Sequence, residues 1–157
     1  MNMAKSYLVV RIKGQVDVPY WARTTLELLR LDKKYRATIL QTQVNTLGML
    51  DKVKHYICWQ EADVDITKQL LDKKGRKSGY RKIESADIVD MGFKDIDEMA
   101  SSIAKGKVSM SKIKALKPWF ALDPPRHGFK SSTKRLYTQK GILGHNKELT
   151  DIVRNMM

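Results

Sequence analysis

Between Tyr7 and Lys13 the chain alternates: Leu8, Val10 and Ile12 fall on one side of an extended segment, with Val9, Arg11 and Lys13 on the other. That period of two predicts a half-buried strand. Helical spacing takes over in PYWARTTLELLR, where Ala22, Leu26 and Leu29 form one apolar stripe and Arg23, Glu27 and Arg30 lie off it. Pro19 suits the first turn, because its missing N–H needs no partner there. In YRATILQ, Ala37, Ile39 and Gln41 alternate against Arg36, Thr38 and Leu40, a second strand. Asn45 or Thr46 can cap a second helix bearing Leu47, Leu50 and Val53. YICWQ, rich in β-formers, makes a third strand. Strand, helix, strand, helix, strand predicts one layer of helices on one face of a small sheet.

Past Glu61 the pattern thins. Asp63 to Leu71 can form a helix with Val64, Leu70 and Leu71 as partial apolar contacts. Its continuation, KKGRKSGYRK, breaks at Gly75 and Gly79, and six of its ten residues are basic. Two readings stay open: a solvated loop, or a segment that orders against RNA, with Tyr80 as a stacking ring among Lys74, Arg76, Lys77 and Arg81. The acids Glu84, Asp87, Asp90, Asp95, Asp97 and Glu98 lack the glycine and closing glutamate of a calcium loop. A helix over Lys94 to Ala104, with acids at its positive end and Ile96, Met99, Ala100 and Ile103 as its stripe, accounts for them better. LKPWFALDPPRHG reads as extended chain with WFAL as an apolar anchor. Arg126 to Lys140 holds five Lys/Arg and no carboxylate, a composition that cannot fold alone. Phe129 and Tyr137 either stack on bases or pin this loop to the domain. Gly141, Gly144 and His145 predict a tight turn, and Asn146 a cap for a last helix with Leu149, Ile152 and Val153 packed inward.

Composition then narrows the class. The chain has 157 residues, 42% of them apolar, enough for one core. Thirty Lys/Arg against seventeen Asp/Glu leave +13. Folding does not require that charge, and a polyanion rewards it, because each neutralised phosphate releases counterions. Nucleic acid is the leading partner and an anionic membrane surface a weaker one. The excess is net +6 over residues 1–60, +2 over 61–116 and +5 over 117–157, so the two ends should build the RNA-facing surface. No apolar run is long enough to span a bilayer, and the run before Arg11 is too short for a signal-peptide core. A single cysteine fits a reducing cytoplasm.

Catalysis finds little support. His55, His127 and His145 are scattered, with His55 beside an apolar strand as a structural histidine, and Cys58 should be buried and inert. No paired-cysteine spacing, nucleophile elbow or phosphate loop is present, so neither cofactor, metal nor small-molecule substrate is expected. Gly48 reads as a close helix–sheet approach. An RNA-recognition motif would need aromatics on the open sheet face, where this chain offers Val9, Arg11 and Lys13.

The opening YLVVRIKGQ, the helix ending TLELLRL followed by KKYRATIL, and the helix GMLDKVKHYI resemble the large-subunit ribosomal protein family numbered thirty in bacteria and archaea and seven in eukaryotes. FALDPPRHGFKSSTKRLYTQKGILGHNKELTDIV resembles the carboxy-terminal part of its archaeal branch. Eukaryotic members carry a long basic amino-terminal extension, and this chain starts almost at its first strand, so the archaeal form fits better. The resemblance implies an α/β (α+β) fold of ferredoxin-like character. Its β-α-β-α-β core would span residues 1–61, with a three-stranded antiparallel sheet and two helices on one face. Residues 62–157 would add a helical insertion and a basic tail packed on that core. The resemblance also implies a cytoplasmic structural constituent of the large ribosomal subunit, bound to 23S-type rRNA near the 5S rRNA and to neighbouring ribosomal proteins. The alternative is a stand-alone RNA-binding module or RNA chaperone.

Carried over by position, the implied contacts are Lys13, Gln15, Tyr20, Trp21 and Arg23 around the first loop and helix. Arg30, Lys33, Lys34 and Arg36 follow at the turn into the second strand, then Gly48, Met49, Lys52 and Lys54 on the second helix. Trp21 could equally cap the core beside Leu8. The glycine-broken basic segment adds Lys74, Arg76, Lys77, Tyr80 and Arg81, and the tail adds Arg126, His127, Lys130, Lys134, Arg135 and Lys140.

Overall fold

The computed structural model describes residues 5–157, so residues 1–4 of the expected 1–61 unit lie outside the described residues. Strand β1 (Ser6–Arg11) pairs antiparallel with β2 (Arg36–Gln41) on one side and β3 (Ile57–Glu61) on the other. This is the expected three-stranded unit, in the order β2-β1-β3. Helices α1 (Tyr20–Leu28) and α2 (Val44–Lys52) connect the strands. Ala22, Leu26 and Leu29 of the first stripe and Leu50 and Val53 of the second pack with Val9, Ile57 and Trp59 on one sheet face.

The sheet does not stop at three strands. A short β6 (Phe120–Ala121) joins β2 antiparallel, with Phe120 opposite Ala37. On the other side β8 (Gly141–His145) runs parallel to β3, and β7 (Ser132–Leu136) lies outside β8. The six-stranded order is β6-β2-β1-β3-β8-β7. The expected turn at Gly141, Gly144 and His145 is therefore a strand. Its glycines serve close approach: a Cβ at Gly141 would overlap the Arg135 backbone of β7, and Gly144 sits at φ +82°.

The second sheet face is also covered, which reverses the expected orientation of β1. Leu8, Val10 and Ile12 point away from α1 and α2, into a second core with α3 (Val64–Lys74), α5 (Ile96–Ala104) and α6 (Leu149–Met156). Val9 and Arg11 face α1 and α2, so β1 is buried on both sides. The architecture is three layers, helices–sheet–helices, in place of one helix layer.

Local signals explain most boundaries. Asp63 caps α3 by accepting from the Val64 N–H at 2.8 Å, and Asp95 caps α5 by accepting from the Glu98 N–H at 2.8 Å. In that region Glu84 and Asp87 also form a capping box while Asp97 pairs with Lys68, and the described residues contain no cluster able to hold a metal. Pro19 occupies the cap position ahead of α1 rather than its first turn. α2 begins at Val44, before Asn45 and Thr46, with no side-chain cap. Its Leu47 is 43% exposed, off the buried stripe, and Gly48 faces open space, not the sheet. Asn146 accepts from the Glu148 N–H at 2.8 Å, stabilising the turn into α6, whose Leu149, Val153 and Met156 are buried.

Candidate nucleic-acid interface

A charged residue expected on an open face organises the region where most implied contacts lie. Arg11 is 2% exposed. Its Nε donates to the Lys13 carbonyl at 2.9 Å, and its two terminal nitrogens donate to Leu31 at 2.7 Å and Gly14 at 3.1 Å. Burial lowers its pKa, with nearby Asp32 pulling the other way and Arg23 adding to the depression. One guanidinium therefore ties the loop after β1 to the turn before β2. Gln15 adds a second tie, donating to the Asp32 carbonyl at 2.7 Å. The two loops become one rigid platform.

That platform carries cations outward. Arg23, Arg30, Lys33 and Lys34 are exposed, and Lys13 is half-buried. Arg30 and Tyr35 hold left-handed backbone, φ +65° and +62°, at the two ends of this turn. Lys34 lies over the Tyr35 ring at 4.9 Å and Lys13 lies 6.0 Å from the Tyr56 ring. On the outer side of α1 and α2, Tyr20 is 83% exposed and Trp21 41% exposed, with the Lys52 ammonium 5.9 Å from the Trp21 ring. Trp21 is thus not a cap on Leu8, which belongs to the opposite face. On the same helix as Lys52, Gly48 is exposed and Met49 packs partly against the core, while Lys54 pairs with Asp51 at 3.7 Å.

The tail meets this platform. A groove of about 540 Å³ is lined by Lys13, Lys34 and Tyr35 from the core and by Phe129, Thr133 and Lys134 from the tail. Phe129 packs 6.4 Å from Tyr35, which pins the loop to the domain. Arg126, His127, Lys130, Arg135 and Lys140 belong to the same tail, with His127 and Lys140 in left-handed turns at φ +63° and +62°. Arg126 also enters the fold through its backbone, whose N–H donates to the Asn155 carbonyl at 3.0 Å.

The glycine-broken basic segment has a formed backbone, with its turn from Ser78 to Lys82 in solvent. It is a hairpin, β4 (Arg76–Lys77) against β5 (Arg81–Lys82). Gly75 is required there, since a Cβ would press on the Leu71 carbonyl, and Gly79 turns the chain at φ +81°. Two of its cations are engaged internally: Lys74 pairs with Asp123 and Lys77 with Asp87, both at 2.8 Å. Arg76 donates to the Gly75 carbonyl at 2.9 Å and lies 5.7 Å from the Tyr80 ring. Arg36 is ion-paired with Asp32, and its guanidinium stacks on Trp119 at 3.9 Å. Sequence reasoning missed Arg11, Lys117 and Trp119. The last sits beside Pro118 in a segment legible only as extended chain.

Cys58 is fully buried, its thiol pKa pushed up by burial, and its Sγ points to the Val10 carbonyl at 3.7 Å. His55 is exposed and not the packed histidine expected. No helix among the described residues is long and apolar enough to cross a membrane.

A family model described as ribosomal protein L30p/L7e matches residues 7–57, the span from β1 through the start of β3. Large ribosomal subunit protein uL30 of Cenarchaeum symbiosum is 59% identical over 155 residues, covering 99% of this chain and all of the relative. The protein of the same name from Nitrosopumilus maritimus is also 59% identical over 155 residues, with the same coverage. That of Desulfurococcus amylolyticus is 37% identical over 162 residues, again 99% of this chain and all of the relative. The relatives bear the name of a ribosomal component, not of an enzyme, and the match runs through the tail as well as the core. The chain belongs to the uL30 family of large ribosomal subunit proteins, in company with its archaeal members.

Proposed function

We propose that this protein is a structural constituent of the large ribosomal subunit that works by binding, not turnover, and holds folded 23S-type rRNA close to the 5S rRNA. The observation that carries the rRNA reading is the convergence of Lys13 and Lys34 from the core with Lys134 from the tail in one groove. Three ammonium groups from distant parts of the chain repel one another unless a polyanion lies between them. Phosphates of packed rRNA helices supply that charge, and released counterions drive the association. The platform is rigid because of Arg11, so it reads shape rather than sequence. Arg23, Arg30 and Lys33 extend the phosphate track beside the groove, and Lys52 with Trp21 extends it across α1 and α2. The tail cations from Arg126 to Lys140 continue it on the other side. Partners are then large-subunit rRNA and the ribosomal proteins packed around it, in the cytoplasm.

Sedimentation of native extract through a sucrose gradient, with immunodetection of this protein, tests the reading. Co-migration with the large subunit through a high-salt wash is the expected result. A free or small-complex peak would overturn it in favour of a stand-alone RNA-binding module.

A further inference from the structure

The hairpin, the start of β2 and the strand-like segment before β6 meet in a ladder of cations and rings. The Arg36 guanidinium lies 3.9 Å from the Trp119 ring, and the Trp119 and Tyr80 rings are 6.0 Å apart, tilted by 31°. Lys117 lies 5.7 Å from Trp119, and Arg76 lies 5.7 Å from Tyr80. Backbone bonds hold the rungs in place: Ser78 donates to the Ala115 carbonyl at 2.8 Å and Lys117 to the Arg76 carbonyl at 2.9 Å. The inner end is closed, because Arg36 is half-buried and ion-paired with Asp32. The outer end is open, with Tyr80 51% exposed.

Tyr80 holds left-handed backbone at φ +60°, directly after Gly79 at +81°. A bulky side chain is an outlier in that region, where asparagine or glycine would sit at lower cost. The fold keeps an aromatic ring there and leaves half of it in solvent. Around it the unpaired charge has one sign: among the described residues, Arg76, Arg81 and Lys117 make no ion pair with a carboxylate, while Lys77 takes Asp87. A neutral peptide strand offers these groups no matched charge. An unpaired nucleotide offers a π-face for the ring and phosphates for the cations.

We infer that Tyr80 is the stacking platform for one unpaired nucleobase, with Arg76, Arg81 and Lys117 on the flanking phosphates. This rests on the proposed rRNA-binding role and deepens it: the hairpin reads a bulged or looped-out base, while the groove at Lys13, Lys34 and Lys134 reads duplex shape. Trp119 and Arg36 back the ring and hold it at fixed tilt.

A photoreactive side chain at position 80 tests this in assembled particles. The substitution Tyr80→p-azidophenylalanine is introduced in the full chain, large subunits are purified, and the adduct formed on illumination is identified. A nucleotide adduct at one unpaired position of the large-subunit rRNA is expected. An adduct with another protein, or none in subunits that contain the chain, would overturn the stacking site while leaving the ribosomal role standing. Absence of the chain from washed subunits would overturn the ribosomal role itself. In equilibrium binding to deproteinised large-subunit rRNA, Tyr80→Leu should weaken affinity about fivefold to a hundredfold with an unchanged salt slope, whereas Tyr80→Phe stays within about twofold. Arg81→Gln should lower the salt slope by about one unit. A Tyr80→Leu protein that binds as tightly as the parent would reject the inference.

Discussion

The two faces of the central sheet are covered by chain of different character. Over Val9, Ile57 and Trp59 lie α1 and α2, which bury a narrow stripe and leave Tyr20, Trp21, Leu28, Val44 and Leu47 in solvent beside exposed cations. Over Leu8, Val10, Ile12 and Cys58 lie α3, α5 and α6, and the outer surface on this side neutralises itself through Lys68–Asp97, Lys77–Asp87 and Lys74–Asp123. The span that matches the family model, residues 7–57, contributes the first cover and no helix of the second. One cover is built to meet something else. The other closes the fold and offers an outward platform only at its hairpin, where Tyr80 is 51% exposed. The charge partition agrees: the balanced middle of the chain lies in the closing cover.

Cutting the chain after Glu61 breaks this division most severely. It would expose Leu8, Val10, Ile12, Ala37, Ile39 and Cys58 together. Each large apolar side chain buried is worth about 1.5–3 kcal/mol, so the loss rivals the whole stability of a typical domain, about 5–15 kcal/mol. Residues 1–61 alone should show no cooperative thermal transition by circular dichroism; a sharp transition would make them an independent domain. Removing residues 126–157 should also unfold the protein, since Ile142, Leu143, Leu149, Val153 and Met156 go with them. The tail is therefore not a detachable RNA-binding arm.

Arg11→Met comes next, because it keeps the stem and removes the pin. The carbonyls of Lys13, Gly14 and Leu31 lose their donor. The expected cost is about 3–5 kcal/mol, a fall in Tm of about 10 °C. Binding to large-subunit rRNA should weaken as well, although Arg11 is buried, because the loops carrying Lys13 and Lys34 lose their common anchor. Stability lost with affinity retained would show that the platform forms without it.

A smaller effect on the fold, and a larger one on binding alone, is expected from neutralising Arg23, Lys33 and Lys34 together to glutamine. All three are exposed, so Tm should stay within a few degrees. The slope of log affinity against log salt should fall by about 0.7–0.9 for each phosphate no longer neutralised. A changed circular dichroism spectrum with the slope intact would make these residues structural.

The first three strands and the longer helices were legible because their periods are local: Ala22, Leu26 and Leu29 are buried as their spacing predicts, and so are Met99, Ala100 and Ile103. Which way β1 faces was not legible. Leu8, Val9 and Val10 are all apolar, so the alternation depended on Arg11, and a charged residue is rarely buried without partners that only the tertiary fold supplies. The same reason hid Gly141, whose need for a bare Cα comes from Arg135 across the sheet edge. Of the expected binding residues, most lie on the platform, the outer helices and the tail. Lys74, Lys77 and Arg36 have ion-pair partners, and the Arg36–Trp119 stack joins residues 83 positions apart.

The gentlest test acts on the closing cover through pH. The Lys77 ammonium, and after it the Glu84 N–H, hold the Asp87 carboxyl below its ordinary range. A depressed folded pKa adds stability above the unfolded value, about 3.9, and that stability is lost as pH falls through the folded value. Both partners reach solvent, so the effect on global stability is small. It is local to the hairpin: Lys77 belongs to β4, and Asp87 to α4 (Ser85–Asp90) just beyond β5. Acidification from about pH 5, through the unfolded carboxyl value and on below it, should loosen the hairpin and part Tyr80 from Trp119, read as a change in their ring-proton shifts, while Trp21, on the other cover, shows none. Asp87→Asn should abolish the acid-dependent step at Tyr80. If Trp21 and Tyr80 shift together in both proteins, the acid transition is global and the two covers are not separable.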